Sequence, residues 1–163
     1  MKSPQEKPLI LDKKTALVKA ESWCAYQERS QQEVRNKLYD WQLKPNEVEE
    51  IIGELIVNNF LNEERFALAY ASGKANIKKW GKLKIKQGLK LKKVPDKLIQ
   101  KALNSLDGDK YFEDLCQAVL KKEKTLTEKD LFKKKYKLLN YFLGKGYEKD
   151  LIFLALKANN LSE

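Results

Sequence analysis

Apolar residues recur along the chain in helical spacing. Val48, Ile51, Ile52, Leu55 and Ile56 stand at i, i+3, i+4, i+7 and i+8, as do Phe112, Leu115, Cys116, Val119 and Leu120, so each set covers one face of a helix. No strand-like alternation of comparable length competes with them. Local chemistry marks the helix starts. Ser30-Gln31-Gln32-Glu33 and Thr127-Glu128-Lys129-Asp130 have capping-box spacing, in which the first side chain accepts an N–H left unpaired where a helix begins. Asn46 and Asn62 suit the same role, Pro95 suits a first helical turn, and Gly81 after Trp80 marks another start. The pattern predicts an all-α protein of about nine helices.

A longer period underlies these helices. Val34, Leu38 and Leu43 stand at relative positions 0, 4 and 9; Ile85, Leu89 and Val94 repeat those offsets, and so do Leu138, Phe142 and Tyr147. A new helix is due just beyond each set, at Pro45, Pro95 and Glu148. The spacing describes a helix that buries positions 0 and 4, a turn whose apolar residue at position 9 plugs the junction, and a second helix crossing back. With one more helix in front, each set becomes a three-helix, helix-turn-helix-like repeat. The expected organisation is a flexible N-terminal arm at 1–9 and repeats at 10–61, 62–107 and 108–163. A unit of about 50 residues buries too little surface by itself, so neighbours must share an interface, and an elongated tandem array is expected.

Composition removes several kinds of chemistry. The 163 residues are 42% hydrophobic and 34% charged, enough apolar content for a core, and histidine is absent. Without it there is no Ser-His or Cys-His pair, no histidine metal ligand and no imidazole base. Cys24 and Cys116 lie far apart and outside any C-x-x-C pair, which makes them reduced core residues with no zinc site or disulfide framework. No glycine-rich phosphate loop appears. Adjacent carboxylates at Glu49-Glu50 and Glu63-Glu64 diverge by about 100° on a helix and read as helix-start charges rather than acid–base pairs. No apolar stretch approaches the ~20 residues that span a bilayer. The expectation is a cytoplasmic, non-enzymatic protein with no catalytic residues, cofactor, metal or small-molecule substrate.

Charge singles out the middle repeat. The chain carries 33 basic and 23 acidic side chains. Between Lys74 and Lys101 there are 11 lysines and one acid, Asp96, so this stretch holds the whole net charge of +10. On a helix starting near Gly81, Lys82, Lys86 and Lys90 advance by about 40° per step beside the buried stripe of Ile85 and Leu89. They form a basic ridge suited to phosphates. Lysine lacks the fork that reads guanine bidentately, so backbone contact fits better than base readout. Trp80 could stack a base, or could pack as a hydrophobic staple against Ile85.

These residues also carry a family resemblance. Cys24-Ala25-Tyr26-Gln27-Glu28-Arg29-Ser30-Gln31-Gln32-Glu33-Val34-Arg35-Asn36-Lys37-Leu38 is similar to the arginine-serine, glutamate-leucine-arginine and lysine-leucine pattern of the bacterial RecX regulatory proteins. Phe60-Leu61-Asn62-Glu63-Glu64-Arg65-Phe66-Ala67 resembles a second segment of that family, and Trp80-Gly81-Lys82-Leu83-Lys84-Ile85 with Leu89 a third. The motif positions are Arg29, Ser30, Glu33, Leu38, Asn62, Phe66, Gly81, Ile85 and Leu89. Leu83 interrupts the usual basic pair, and Lys93 replaces the glycine expected before Val94. The third repeat matches only in its apolar frame. The resemblance implies an inhibitor of the RecA recombinase that binds along the groove of the RecA–DNA filament. Candidate contacts to DNA or filament are Lys74, Lys78, Lys79, Lys82, Lys84, Lys86, Lys90, Lys92, Lys93, Arg35 and Arg65. Partners would be the RecA filament and single-stranded or duplex DNA, with the protein itself a monomer and no membrane involved. Two other readings stay open: a free-standing nucleic-acid-binding protein using the same ridge, and a scaffold that binds only protein.

Overall fold

Most helices begin where a side chain or a turn can take up an N–H that the helix itself leaves unpaired. The structure, a computed structural model, describes residues 8–161; residues 1–7 of the expected arm and the last two residues of the third repeat lie outside them. Among the described residues there are nine helices and no strand: α1 (Lys13–Tyr26), α2 (Gln31–Asp40), α3 (Pro45–Val57), α4 (Glu63–Asn76), α5 (Lys82–Leu91), α6 (Asp96–Asn104), α7 (Gly108–Glu123), α8 (Leu131–Gly144) and α9 (Lys149–Ala158). Ser30 and Glu33 form the expected capping box, the Glu33 N–H reaching Ser30 Oγ at 3.0 Å and the Ser30 N–H reaching Glu33 Oε2 at 2.9 Å. Asn62 caps α4 by accepting the Arg65 N–H at 2.9 Å. Gly81 precedes α5 as expected, and Pro95 sits one residue ahead of α6.

Two of the expected caps fall elsewhere. The helix after Lys124 does not start at Thr127: Asp130 caps it, accepting the Lys133 N–H at 2.9 Å, while Glu128 accepts the Asp130 N–H at 3.2 Å. The carboxylate closer to the apolar run thus takes the role. Asn46 lies inside the first turn of α3, because Pro45, with its φ preset, already occupies the first helical position. The buried stripes are also narrower than the spacing suggests. Ile56 is 44% and Leu120 43% exposed; each is the i+8 member of its set, rotated about 80° from the first, at the stripe's edge.

The nine residues at positions 0, 4 and 9 are all buried: Val34, Leu38 and Leu43; Ile85, Leu89 and Val94; Leu138, Phe142 and Tyr147. Their turns share one backbone device at position 8. Gln42, Lys93 and Gly146 all adopt positive φ, at 64°, 57° and 90°. In the first and third turns the next N–H bonds back to the helix, Leu43 to Leu38 at 3.3 Å and Tyr147 to Phe142 at 3.1 Å. These are Schellman closures, and they aim the position-9 side chain into the core. Such a turn favours glycine, which the third repeat has and the others replace.

The chain divides into two compact units. One holds the described residues up to Ala67 with Lys92–Val94, the other Leu68–Leu91 and everything from Pro95. In the first, α1 presents Ala16, Ala20 and Cys24 to a core built from Val34, Leu38, Trp41, Leu43, Val48, Ile51, Ile52, Leu55 and Leu61. Small residues at i, i+4 and i+8 let the neighbouring helix come close. Ala67, Ala71 and Ala75 on α4, displaced by 51 positions, are buried in the same way. In the second unit, Tyr111, Leu115 and Val119 of α7 meet Leu138 and Phe142 of α8, Tyr147, and Ile152, Ala155 and Leu156 of α9.

Equivalent turns should therefore respond oppositely to substitution. A methyl group on Gly146 would overlap the Lys84 side chain and backbone, and it would also be strained by the positive φ; Gly146→Ala should lower stability by about 2 kcal/mol or more. Gln42→Gly at the same turn position of the first repeat relieves a non-glycine positive φ and should raise stability by up to about 1 kcal/mol. Denaturant unfolding of both variants checks this, and equal shifts of the same sign would contradict it.

Candidate nucleic-acid interface

The basic helix α5 is held at its N-terminus by groups that come later in the chain, all within the second unit. The Gly81 N–H reaches the Lys145 carbonyl at 2.8 Å, the Lys82 N–H the Tyr111 hydroxyl at 2.9 Å, and the Leu83 N–H the Gly146 carbonyl at 3.0 Å. Three donors that an isolated helix start leaves to water are thus satisfied by the third repeat. The Tyr111 hydroxyl in turn donates to Glu148 Oε1 at 2.9 Å, and the Tyr147 hydroxyl donates to the Lys79 carbonyl at 3.1 Å. The backbones approach so closely that a methyl on Gly81 would overlap Gly146 and Tyr147. In the first unit the same position is served by a carboxylate: Glu63 Oε2 accepts the N–H of Gln31, the first residue of α2, at 2.9 Å. Burial pushes the Glu63 carboxyl pKa up, a cost that this hydrogen bond partly offsets.

Along this scaffold the candidate lysines fall into two groups. Several are engaged within the fold. Lys74 and Lys84 lie over the Trp80 ring at 4.6 and 4.5 Å, and Lys82 lies 5.1 Å from the Tyr111 ring. Lys79 pairs with Asp114 at 3.0 Å, and Lys92 pairs with Glu33 at 2.6 Å. Asp114 is held below the usual carboxylate range by Lys110 first and Lys79 next. Lys78, Lys86, Lys90 and Lys93 are exposed, and no ion pair is formed by any of them among the described residues. The ridge therefore consists of Lys86 and Lys90 in its free part, with Lys82 drawn toward the junction.

All three arginines are bound within the chain. Arg29 stacks on the Trp23 ring at 4.0 Å and donates to the Trp23 carbonyl at 3.3 Å. Arg35 grips both oxygens of Glu49, at 2.7 and 3.2 Å. Arg65 pairs with Glu28 at 2.9 Å and ties down Asn59. Cys24 is buried and Cys116 half-buried, and both are free thiols. Among the described residues no cluster of metal-ligating side chains occurs, and no helix is long and apolar enough to cross a membrane.

Two family profiles match this chain: the first three-helix domain of RecX over residues 16–55 and the second three-helix domain of RecX over 62–103. Together they cover just over half of it. The chain belongs to the RecX family. The regulatory protein RecX of Bacillus mycoides (strain KBAB4) is 27% identical over 142 residues, 87% of this chain and 53% of the relative. The regulatory protein RecX of Bacillus cereus (strain G9842) is 26% identical over the same length. The chain thus spans about half the length of the curated relatives it matches. In fold it resembles the crystal structure of RecX from Lactobacillus salivarius, with a TM-score of 0.82 at 23% identity over 91% of this chain and 97% of that one. A crystal structure of a regulatory protein RecX gives 0.78 at 19% identity, covering 85% of this chain and 68% of the other.

The RecX motif residues turn out to build the fold. Ser30, Glu33 and Asn62 cap helices; Leu38, Phe66, Ile85 and Leu89 are buried; Gly81 lies against the backbone of Gly146 and Tyr147, where a side chain would overlap; Arg29 packs on Trp23. What the sequence did not disclose is the polar half of the junction. Tyr147 is legible as an apolar plug, but the use of its hydroxyl, and the Tyr111–Glu148 pair, depend on side chains from separate helices meeting. Both tyrosines are harder to ionise in place. Burial, followed by the charges of Asp114 and Glu148, pushes Tyr147 up to about 12, and burial moves Tyr111 in the same direction.

A folded pKa above the unfolded value of about 10 means that this contribution to stability is complete below that pH and is lost as pH rises toward about 12. Phenolate absorbance should therefore rise in two phases, the later one coinciding with loss of helical circular dichroism. That later phase should shrink in the Tyr147→Phe variant. A single phase completed with the helices intact would contradict the junction's chemistry.

Proposed function

We propose that this chain is a non-enzymatic regulator that inhibits the RecA recombinase by binding in the groove of the RecA–DNA filament. It thereby modulates homologous recombination and DNA repair, including the SOS response. The observation that carries the reading is the charge. The whole net excess of +10 falls between Lys74 and Lys101, and Lys78, Lys86, Lys90 and Lys93 in that stretch are exposed and form no ion pair among the described residues. Membership of the RecX family and the regulatory role in its relatives' names support the choice of RecA as partner. The protein would act in the cytoplasm as a monomer, without cofactor or small-molecule substrate.

Contact with the nucleic acid is to phosphate and not to base edges. With Arg29, Arg35 and Arg65 all engaged inside the chain, no guanidinium fork is free to read guanine. Lysine point charges position a protein on a backbone without telling sequences apart.

RecA-catalysed strand exchange and DNA-dependent ATP hydrolysis should fall as the protein is titrated in, while the protein alone hydrolyses no nucleotide and cuts no DNA. A variant carrying Lys78→Gln, Lys86→Gln and Lys90→Gln should inhibit less and should bind unrelated single strands about equally weakly. Its log–log salt slope should be shallower by up to about two units, at roughly 0.7 per phosphate lost. If the parent binds DNA but leaves RecA unaffected at several-fold molar excess, the free-standing nucleic-acid reading replaces this one.

A further inference from the structure

Outside the ridge, the second unit carries an aromatic and basic face that the preceding reading does not use. Phe132 and Tyr136 on α8 are 79% and 61% exposed. Four residues apart, they stand one above the other on the same helix face, about 6 Å along the axis. A phenylalanine held in water on a well-formed helix adds nothing to the core, which α8 reaches through Leu138 and Phe142 instead.

Charge around the rings is basic. Helix α8 has four lysines and no acid. Lys134 is paired with Glu123 at 2.9 Å and Lys137 with Glu128 at 3.3 Å, which leaves Lys133 and Lys135 beside the rings without a carboxylate partner among the described residues. Lys135 also lines an open groove of about 440 Å³ against Phe153 and Leu154 of α9, with Lys157 and Asp150 at its rim. The Lys135 ammonium lies 5.8 Å from the Phe153 ring.

We propose that this face is a stacking platform for the bases of single-stranded nucleic acid, with Phe132 and Tyr136 each taking a base and Lys133 and Lys135 meeting the adjoining phosphates. The proposal rests on the nucleic-acid part of the proposed function and gives it a second site with its own preference. Exposed rings flanked by lysines that hold no carboxylate among the described residues fit unstacked bases on a charged backbone. Paired bases hide their faces, so a duplex gains nothing from the rings. The favoured partner is therefore a single strand.

Fluorescence anisotropy with a labelled oligothymidine and with a duplex of equal length tests the assignment across a range of salt. The Phe132→Ala/Tyr136→Ala variant should bind the single strand at least about tenfold more weakly with an unchanged salt slope, because stacking carries no counterion release. Its duplex affinity should stay within about twofold of the parent. A Phe132→Tyr/Tyr136→Phe variant, which keeps both rings, should bind like the parent. By contrast, Lys86→Gln/Lys90→Gln should weaken both ligands and flatten the slope. The platform is overturned if the alanine variant, folded by circular dichroism, keeps its single-strand affinity, or loses single strand and duplex equally. If the parent binds duplex with steep salt dependence and single strands not at all, the platform falls and the ridge stands. If the alanine pair matters and the lysine pair does not, the ridge falls and the platform stands.

Discussion

Three backbone amides at the start of α5, those of Gly81, Lys82 and Leu83, find their acceptors in residues that follow much later in the chain. A helix start cannot satisfy its own first donors, so its end is open until something supplies oxygen. Here the oxygen is the Tyr111 hydroxyl and the carbonyls of Lys145 and Gly146. That requirement explains why Gly81 and Gly146 have no side chain and why Tyr111 is buried with a polar tip. The basic helix owes its placement to the third repeat as much as to its own buried Ile85 and Leu89.

The same arrangement separates structural charge from available charge. Near the junction the cations are drawn inward, Lys79 to Asp114 and Lys82 to the Tyr111 ring. Further along the helix Lys86 and Lys90 have no such neighbour among the described residues. Surface ion pairs contribute little to stability, so a competing phosphate could displace Lys79 from Asp114 at modest cost. An unpaired lysine has no partner to give up. The division explains why a ridge identified by helical angle alone is not uniform in strength along its length.

Much of the fold was legible in the sequence because apolar burial is periodic. The offsets 0, 4 and 9 mark the residues that close each turn, and all nine are buried. The seam of small residues on α1 and α4 was equally open to reading: Ala16, Ala20 and Cys24 recur 51 positions later as Ala67, Ala71 and Ala75. It passes unnoticed when only large apolar residues are sought, since alanine carries little hydrophobic weight. Thr127 misled because capping-box spacing says nothing of which of two neighbouring acceptors starts the helix. The candidate interface was less legible than the fold. Charge can be counted along the chain, but whether Lys92 meets Glu33, or Arg65 meets Glu28, depends on residues 59 and 37 positions away. The departure at Lys93 was visible in sequence, whereas its positive φ was not. The backbone holds a lysine in the form that glycine would adopt without strain.

Hydrogen exchange at individual amides shows whether the third repeat completes the start of α5. First-turn amides of a helix ordinarily exchange fast, having no partner but water. The amides of Gly81, Lys82 and Leu83 should instead exchange as slowly as that of Tyr147, and the Lys82 amide should become fast in the Tyr111→Phe variant while α8 stays protected. Fast exchange at all three in the parent protein, with the α8 core protected, would mean that the start of α5 is open and that the third repeat does not hold it.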